Sequence, residues 1–183
     1  MSPSNSKTLI FILGGARSGK SAYAQQLAAR MGERVLFVAT ATAGDEEMAE
    51  RIARHRAARP AHWRTLEVPT NVGEALREQI GDAQVVLLDC LSLWVANLMG
   101  EGESPADKIE AQVQAELEDL LAAYEAHQAS LIVVSNEVGM GLVPVYPLGR
   151  LYRDVLGRAN QWIAAQADQV ILMVAGLPVQ IKG

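Results

Sequence analysis

Gly14-Gly15-Ala16-Arg17-Ser18-Gly19-Lys20-Ser21, directly after the apolar run Leu9-Ile10-Phe11-Ile12-Leu13, decides how this chain is read. The octet fits G-x-x-x-x-G-K-S at every required position. Glycines let the backbone turn back with its N–H groups pointing inward, where they cradle phosphate oxygens. The helix that follows presents the positive end of its dipole to the same oxygens. Lys20 is placed to reach the β- and γ-phosphates, and the Ser21 hydroxyl to ligate Mg²⁺. A glycine-rich turn without a ligand is the bland alternative. Against it, the motif follows a strand pattern and opens a helical one, Ala22 to Arg30, as phosphate binding demands.

Composition bounds what such a nucleotide protein can be. The chain has 183 residues, half of them hydrophobic (50%) and 20% charged, with a net charge of −5. That is about one domain, without a field that favours nucleic acid or an anionic membrane surface. Cys90 is the only cysteine, so no intrachain disulfide forms and a reducing compartment is the simplest setting. Met1 to Lys7 is polar, and the apolar run after it is too short for a signal peptide's core and cleavage site. No stretch approaches the ~20 apolar residues of a membrane span. The expectation is a cytoplasmic protein with a flexible tail, 1–7, and one domain, 8–183, that neither binds nucleic acid nor inserts into a membrane.

Outward from the phosphate loop, apolar runs alternate with helical patterns. Strands are expected at 8–13, 34–40, 63–68, 84–89, 130–136 and 169–174, with a short edge strand at 178–182. The first helix runs from about Lys20 to Met31 and stops at a left-handed Gly32. A second starts near Asp45 and continues to about Arg56, a third spans Val72 to Ile80, and Cys90 to Met99 is apolar with helical spacing. Ser104-Pro105-Ala106-Asp107 reads as a capped helix start with proline at the first helical position. The helix after it places Ile109, Val113, Leu117, Leu120 and Tyr124 on one face, and a last helix covers Leu148 to Gln166. Strands apolar on both faces between amphipathic helices indicate an α/β P-loop fold, a mostly parallel sheet with helices on both sides.

Two further stretches carry chemistry. Asp89 ends QVVLLD, four apolar residues and then an acid, the pattern of a strand that holds Mg²⁺ beside a phosphate loop. RIARHRAARPAHWRTLEVP, from Arg51 to Pro69, carries Arg51, Arg54, Arg56, Arg59 and Arg64, five of the 16 basic side chains within 14 residues. A solvated basic helix face is the ordinary reading of such a run. Here an anionic ligand is already required, and the run contains His55 and His62. Imidazole can attack the α-phosphorus of a nucleotide, with arginines neutralising the developing charge. Phosphoryl or nucleotidyl transfer follows, with either histidine as nucleophile. His127 near a helix C-terminus fits an interaction with the helix dipole.

Taken together, GGARSGKS, VAT, RIARHRAARP with HWRTLEVP, LLDCLSLWVANL and SNEVGMGLVP resemble the bifunctional adenosylcobinamide kinase/adenosylcobinamide-phosphate guanylyltransferase family of cobalamin assembly. The likeness runs from the first strand to the last. It implies a RecA-like sheet, a homotrimer, and two reactions. In one, ATP or GTP phosphorylates adenosylcobinamide; in the other, GTP donates GMP to adenosylcobinamide phosphate through a guanylylated histidine, which falls on His55. It implies nucleotide contacts at Gly14, Gly15, Ala16, Arg17, Ser18, Gly19, Lys20 and Ser21, at Ala39, Thr40 and Ala41, at Arg56, Ala57, Ala58 and Arg59, and at Glu67 and Asp89. An acid at position 89 serves either a metal or a guanine edge. Lys20 and His55 are the expected catalytic residues, and Ser21 and Asp89 the expected Mg²⁺ ligands. The rival readings are a kinase with a structural histidine and an ATP-driven protein that works through a partner. Asn136-Glu137-Val138-Gly139-Met140-Gly141 suits a pocket wall or a scaffold turn equally. Arg150, Arg153 and Arg158 suit a solvated face, and Trp63, Trp94 and Trp162 core or interface packing.

Overall fold

A strand with two apolar faces needs cover on both, and the sheet of this protein is built to provide it. The computed structural model describes residues 7–42, 46–57, 59–100 and 104–183. Along it run β1 (Leu9–Gly14), α1 (Lys20–Met31), β2 (Val35–Ala39), α2 (Glu46–Ala57), β3 (Arg64–Glu67), α3 (Val72–Gln79) and β4 (Val85–Asp89). They are followed by α4 (Leu91–Met99), α5 (Ala106–Ala126), β5 (Ser130–Asn136), α6 (Pro147–Gln166), β6 (Gln169–Val174) and β7 (Leu177–Lys182). The strand order is β3-β2-β4-β5-β1-β6-β7, parallel throughout except for β7, which returns antiparallel to β6.

Alternation along each strand divides the apolar residues between two cores. Leu9, Phe11, Val38, Leu88 and Val133 face α3, α4, α5 and α6. Ile10, Ile12, Phe37, Leu87 and Val134 face α1, whose Ala24 and Ala28 are fully buried. Small residues there let the helix axis lie close to the sheet. Trp94 and Trp63 are core residues, and Trp162 packs at the core's margin. Among the described residues no helix is long and apolar enough to cross a membrane.

Local details depart from the sequence reading at two helix ends. Gly32 is extended, with φ −175°, and not left-handed. A Cβ there would meet the Gln84 side chain at 2.9 Å, so close packing, not a turn, uses the missing side chain. Pro105 is the N-cap of α5, one position before the first helical residue, and no side chain caps that helix. The proline's own extended ψ of 146° ends the incoming chain, so Ser104 lies outside the capping position.

Gly73, in the first turn of α3, lies against α5 so closely that an added Cβ would stand 2.6 Å from the Asp119 carbonyl carbon and oxygen. Glycine to alanine in a helix ordinarily stabilises by up to about 1 kcal/mol, whereas forced overpacking costs about 1–3 kcal/mol. Because the obstacle is backbone, the second effect wins. Gly73→Ala is expected to lower the unfolding free energy by about 1–2 kcal/mol in urea denaturation. Unchanged or increased stability would show that α3 and α5 can part without cost.

Candidate active site

Parallel pairing aligns the strand ends that matter. Glu67 is level with Ala39, Ala39 with Asp89, and Gly14 with Asn136. Register neighbours in a parallel sheet project to the same side. Ala39 belongs to the core beneath α1, so Glu67 and Asp89 share the α1 side at the carboxyl edge, where α/β sheets take ligands.

The phosphate loop rises from β1 at that edge. Gly19 has φ +90°, a conformation that glycine adopts without a steric penalty, and Arg17 holds φ +57°. Ser18 N–H donates to the Gly15 carbonyl at 3.3 Å, and Tyr23 N–H to Gly19 at 3.0 Å starts α1. The Lys20 ammonium donates to the Gly15 carbonyl at 3.0 Å, so its charge lies folded over the loop. Ser18 Oγ is buried inside the loop without a hydrogen-bond partner. An unpartnered buried hydroxyl costs free energy unless a ligand completes it, and a phosphate oxygen is an acceptor of the right kind. From below, Gly176 N–H in the β6–β7 turn donates to the Ser18 carbonyl at 2.9 Å.

Positive charge reaches the α1 side from the arginine-rich stretch. The Arg59 guanidinium stacks on the Phe37 ring, 3.4 Å from its centroid, with Nε buried and unpartnered. Burial pushes its pKa down, Asp89 and Glu67 push it up, and Arg56 pushes it down. Arginine stays protonated under such shifts, so a cation stands beside Asp89. Arg56 pairs with Glu67 at 3.2 Å, an exposed contact worth about 0–1 kcal/mol. Ala57 is the last residue of α2, and His55 stands on the same helix just before Arg56. Ala58 and the His55 side chain lie outside the described residues. His62 is exposed ahead of β3.

Thr40 is fully buried. Its hydroxyl donates to the Cys90 carbonyl at 2.7 Å and accepts the Cys90 N–H at 3.0 Å, while Asn97 donates to the Thr40 carbonyl at 2.8 Å. The hydroxyl thus clamps the end of β2 to the end of β4, and Ala41 follows half-buried. Burial, then Asp89, pushes the Cys90 thiol up, which keeps it neutral and inert.

A second polar group was not foreseen from the sequence. Asn136 Nδ2 donates to Ser92 Oγ at 3.0 Å, and Ser92 Oγ lies 2.9 Å from Cys90 Sγ. Tyr152 donates its hydroxyl to the Ser92 carbonyl at 3.0 Å, and burial pushes its pKa up to about 12. Ser135 Oγ donates to Asn160 Oδ1 at 2.7 Å, and Asn160 Nδ2 to the Asn136 carbonyl at 3.1 Å. The available signal was a polar residue on a buried helical face, Ser92 in LSLW and Asn160 beside Ala159. The basic residues of α6 are engaged at the surface, Arg150 with the carbonyls of Pro144 and Val145, Arg153 with Asp154 at 3.6 Å, and Arg158 with Glu110.

Ser21 is the second residue of α1, which packs against β4, and Asp89 ends β4. Among the described residues no three histidine, cysteine or acidic side chains gather around a common point. Mg²⁺ needs no such cage, since it keeps waters and takes one or two protein oxygens plus substrate phosphates. One hydroxyl and one carboxylate beside a phosphate loop are a donor set of that kind.

Residues 10–181 match the family model described as cobinamide kinase / cobinamide phosphate guanyltransferase. The chain is 46% identical over 172 residues to the bifunctional adenosylcobalamin biosynthesis protein CobP of Pseudomonas aeruginosa, covering 94% of this chain and 96% of that protein. It is 42% identical over 181 residues to the bifunctional adenosylcobalamin biosynthesis protein CobU of Escherichia coli K12, covering 95% and 99%. Among solved structures it is similar to the RadB recombinase, at TM-score 0.49 and 17% identity over 90% of this chain and 73% of that one.

The orphaned Ser18 hydroxyl gives a direct test of the loop. Hydrogen bonds to charged groups contribute about 1.5–3 kcal/mol, so Ser18→Ala should weaken nucleotide affinity by roughly 10- to 150-fold. Its melting temperature without nucleotide should not fall, because no protein partner is lost. Calorimetric titration and a thermal melt of the same variant check both halves.

Proposed function

The chain belongs to the cobinamide kinase / cobinamide phosphate guanyltransferase family, and within it we propose that the protein carries out both transfers at the carboxyl edge described above. In the first, the γ-phosphoryl group of ATP or GTP passes to the hydroxyl on the aminopropanol arm of adenosylcobinamide. In the second, adenosylcobinamide phosphate accepts GMP from GTP to give adenosylcobinamide-GDP. The observation that carries this reading is the phosphate loop itself, with its unpartnered Ser18 hydroxyl and Lys20 folded over Gly15.

Phosphoryl transfer asks a protein for positioning and electrostatic stabilisation more than for covalent chemistry. The loop amides and Lys20 supply donors to the transferring group, and Arg59 adds a cation beside Asp89. Ser21 and Asp89 would hold Mg²⁺, which when bound neutralises charge on the β- and γ-oxygens. For nucleotidyl transfer, an unprotonated His55 imidazole nitrogen forms a bond to the α-phosphorus of GTP while the bond to pyrophosphate breaks. A phosphate oxygen of adenosylcobinamide phosphate then takes the GMP group and frees His55. Splitting the transfer in two gives ping-pong behaviour in that half. The family resemblance supports extending the proposal to a homotrimer in the cytoplasm, with 8–183 acting as one domain behind a tail of 1–7.

The deciding experiment incubates the protein with Mg²⁺ and GTP labelled at the α- or the γ-phosphate, without corrinoid, and then denatures it. Acid-labile, alkali-stable label is expected from the α position only, and none on His55→Ala. Absence of α-label while corrinoid phosphorylation continues would reduce the protein to a kinase. Lys20→Ala is expected to lower the kinase turnover by roughly 10²–10³-fold, the usual effect of losing one preorganised donor. A phosphoryl-transfer assay reads it, and an unaffected rate would remove Lys20 from the transition state.

A further inference from the structure

Glu137 is a carboxylate that the transfers just described leave without a role, yet it adjoins the phosphate loop. Its backbone N–H donates to the carbonyl of Gly14, the first residue of the loop motif, at 3.0 Å. Its own Oε1 accepts the Gly139 N–H at 2.5 Å, which fixes the direction of the side chain. The residue before it is held from both sides, by Ser92 through the Asn136 amide and by Asn160 through the Asn136 carbonyl. Among the described residues Glu137 forms no ion pair, whereas Glu67 is paired with Arg56. The side chain is half-buried and oriented, and a positioned carboxylate is a residue type that serves as a general base.

Its side of the sheet also matters. Glu67, Ala39 and Asp89 lie on the α1 side, with Arg59 over Phe37 in the same core. Ser135, by contrast, points to Asn160 of α6, and a groove of about 350 Å³ lined by Gly139, Arg153, Asp154, Gly157, Arg158 and Gln161 opens along that helix. The phosphate loop runs from β1 into α1, and β5 lies beside β1 with Asn136 level with Gly14. In phosphoryl transfer the attacking and leaving oxygens are roughly in line through the γ-phosphorus. An accepting hydroxyl that approaches the phosphate loop from the β5 end passes the Glu137 carboxylate, which is tied to Gly14 through its own backbone.

We propose that Glu137 accepts the proton of the aminopropanol hydroxyl during the kinase reaction, which rests on the kinase half of the reading above. The O–H bond breaks toward the Glu137 carboxylate as the oxygen forms its bond to the γ-phosphorus. The bond from that phosphorus to the β,γ-bridging oxygen breaks, and its electron pair leaves with the nucleoside diphosphate. Glu137 then returns the proton to solvent.

Glu137→Gln separates this role from a structural one, since glutamine retains an oxygen for the Gly139 N–H but cannot take the proton. General-base catalysis contributes about 10²–10⁴-fold, so kcat for adenosylcobinamide phosphorylation should fall by that factor while KM for the nucleotide stays within about threefold. Glu137→Asp, which keeps the carboxylate, should recover part of the loss. A Gln variant within about threefold of the wild-type kcat would overturn the proposal. So would a variant whose nucleotide affinity and kcat fall together, or an Asp variant no better than Gln, because either assigns the side chain to the turn. Wild-type protein that binds nucleotide but phosphorylates no corrinoid would instead overturn the kinase reading, and this proposal with it. The wild-type control run in parallel tells the two failures apart.

Discussion

Two-sided burial of the parallel sheet is the constraint from which the rest of the molecule follows. With α1 on one face and α3 to α6 on the other, the strands have apolar side chains in both directions and no freedom to display charge along their length. Polar chemistry is confined to the ends. At the carboxyl edge the strand carbonyls and the incoming helix N-terminus point the same way, so anion binding, acidic side chains and their supporting polar groups gather there. The same constraint explains why the phosphate loop can be irregular. Its positive-φ residues, Arg17 and Gly19, are anchored to a strand and a helix that packing holds in place.

Holding that edge together requires buried polar groups, and each is matched. Thr40 and Cys90 exchange two hydrogen bonds across β2 and β4, and Ser135, Asn160 and Asn136 do the equivalent work between β5 and α6. Among the described residues the exceptions are Ser18 Oγ, in the phosphate loop, and Arg59 Nε, beside Phe37 on the α1 side. Buried polar atoms without a partner call for an explanation, and a ligand is one that would complete them.

Much of this was legible in the sequence, and the physical reason is locality. The phosphate loop is contiguous, buried parallel strands are apolar runs, and Asp89 announces itself by ending one. The face of α5 follows from spacing alone, with Ile109, Val113, Leu117 and Leu120 all buried. What the sequence withheld depends on residues far apart in the chain. No spacing rule pairs Thr40 with Cys90, lays Arg59 on Phe37, or sets Ser135 against Asn160. Local rules also yielded to tertiary context at Gly32, where packing on Gln84 accounts for the glycine, and at Pro105, which displaced Ser104 from the cap.

The hydrogen bond from Gly176 to the Ser18 carbonyl joins the phosphate loop to the turn of the β6–β7 hairpin. That hairpin is the margin of the sheet, and every residue of β7 is exposed. The loop, anchored in β1 and α1, thus also touches the sheet's least covered part. A force or contact that bends the margin is transmitted through one amide to the carbonyl behind Ser18. The exposed margin and the interior of the phosphate loop are thus one hydrogen bond apart.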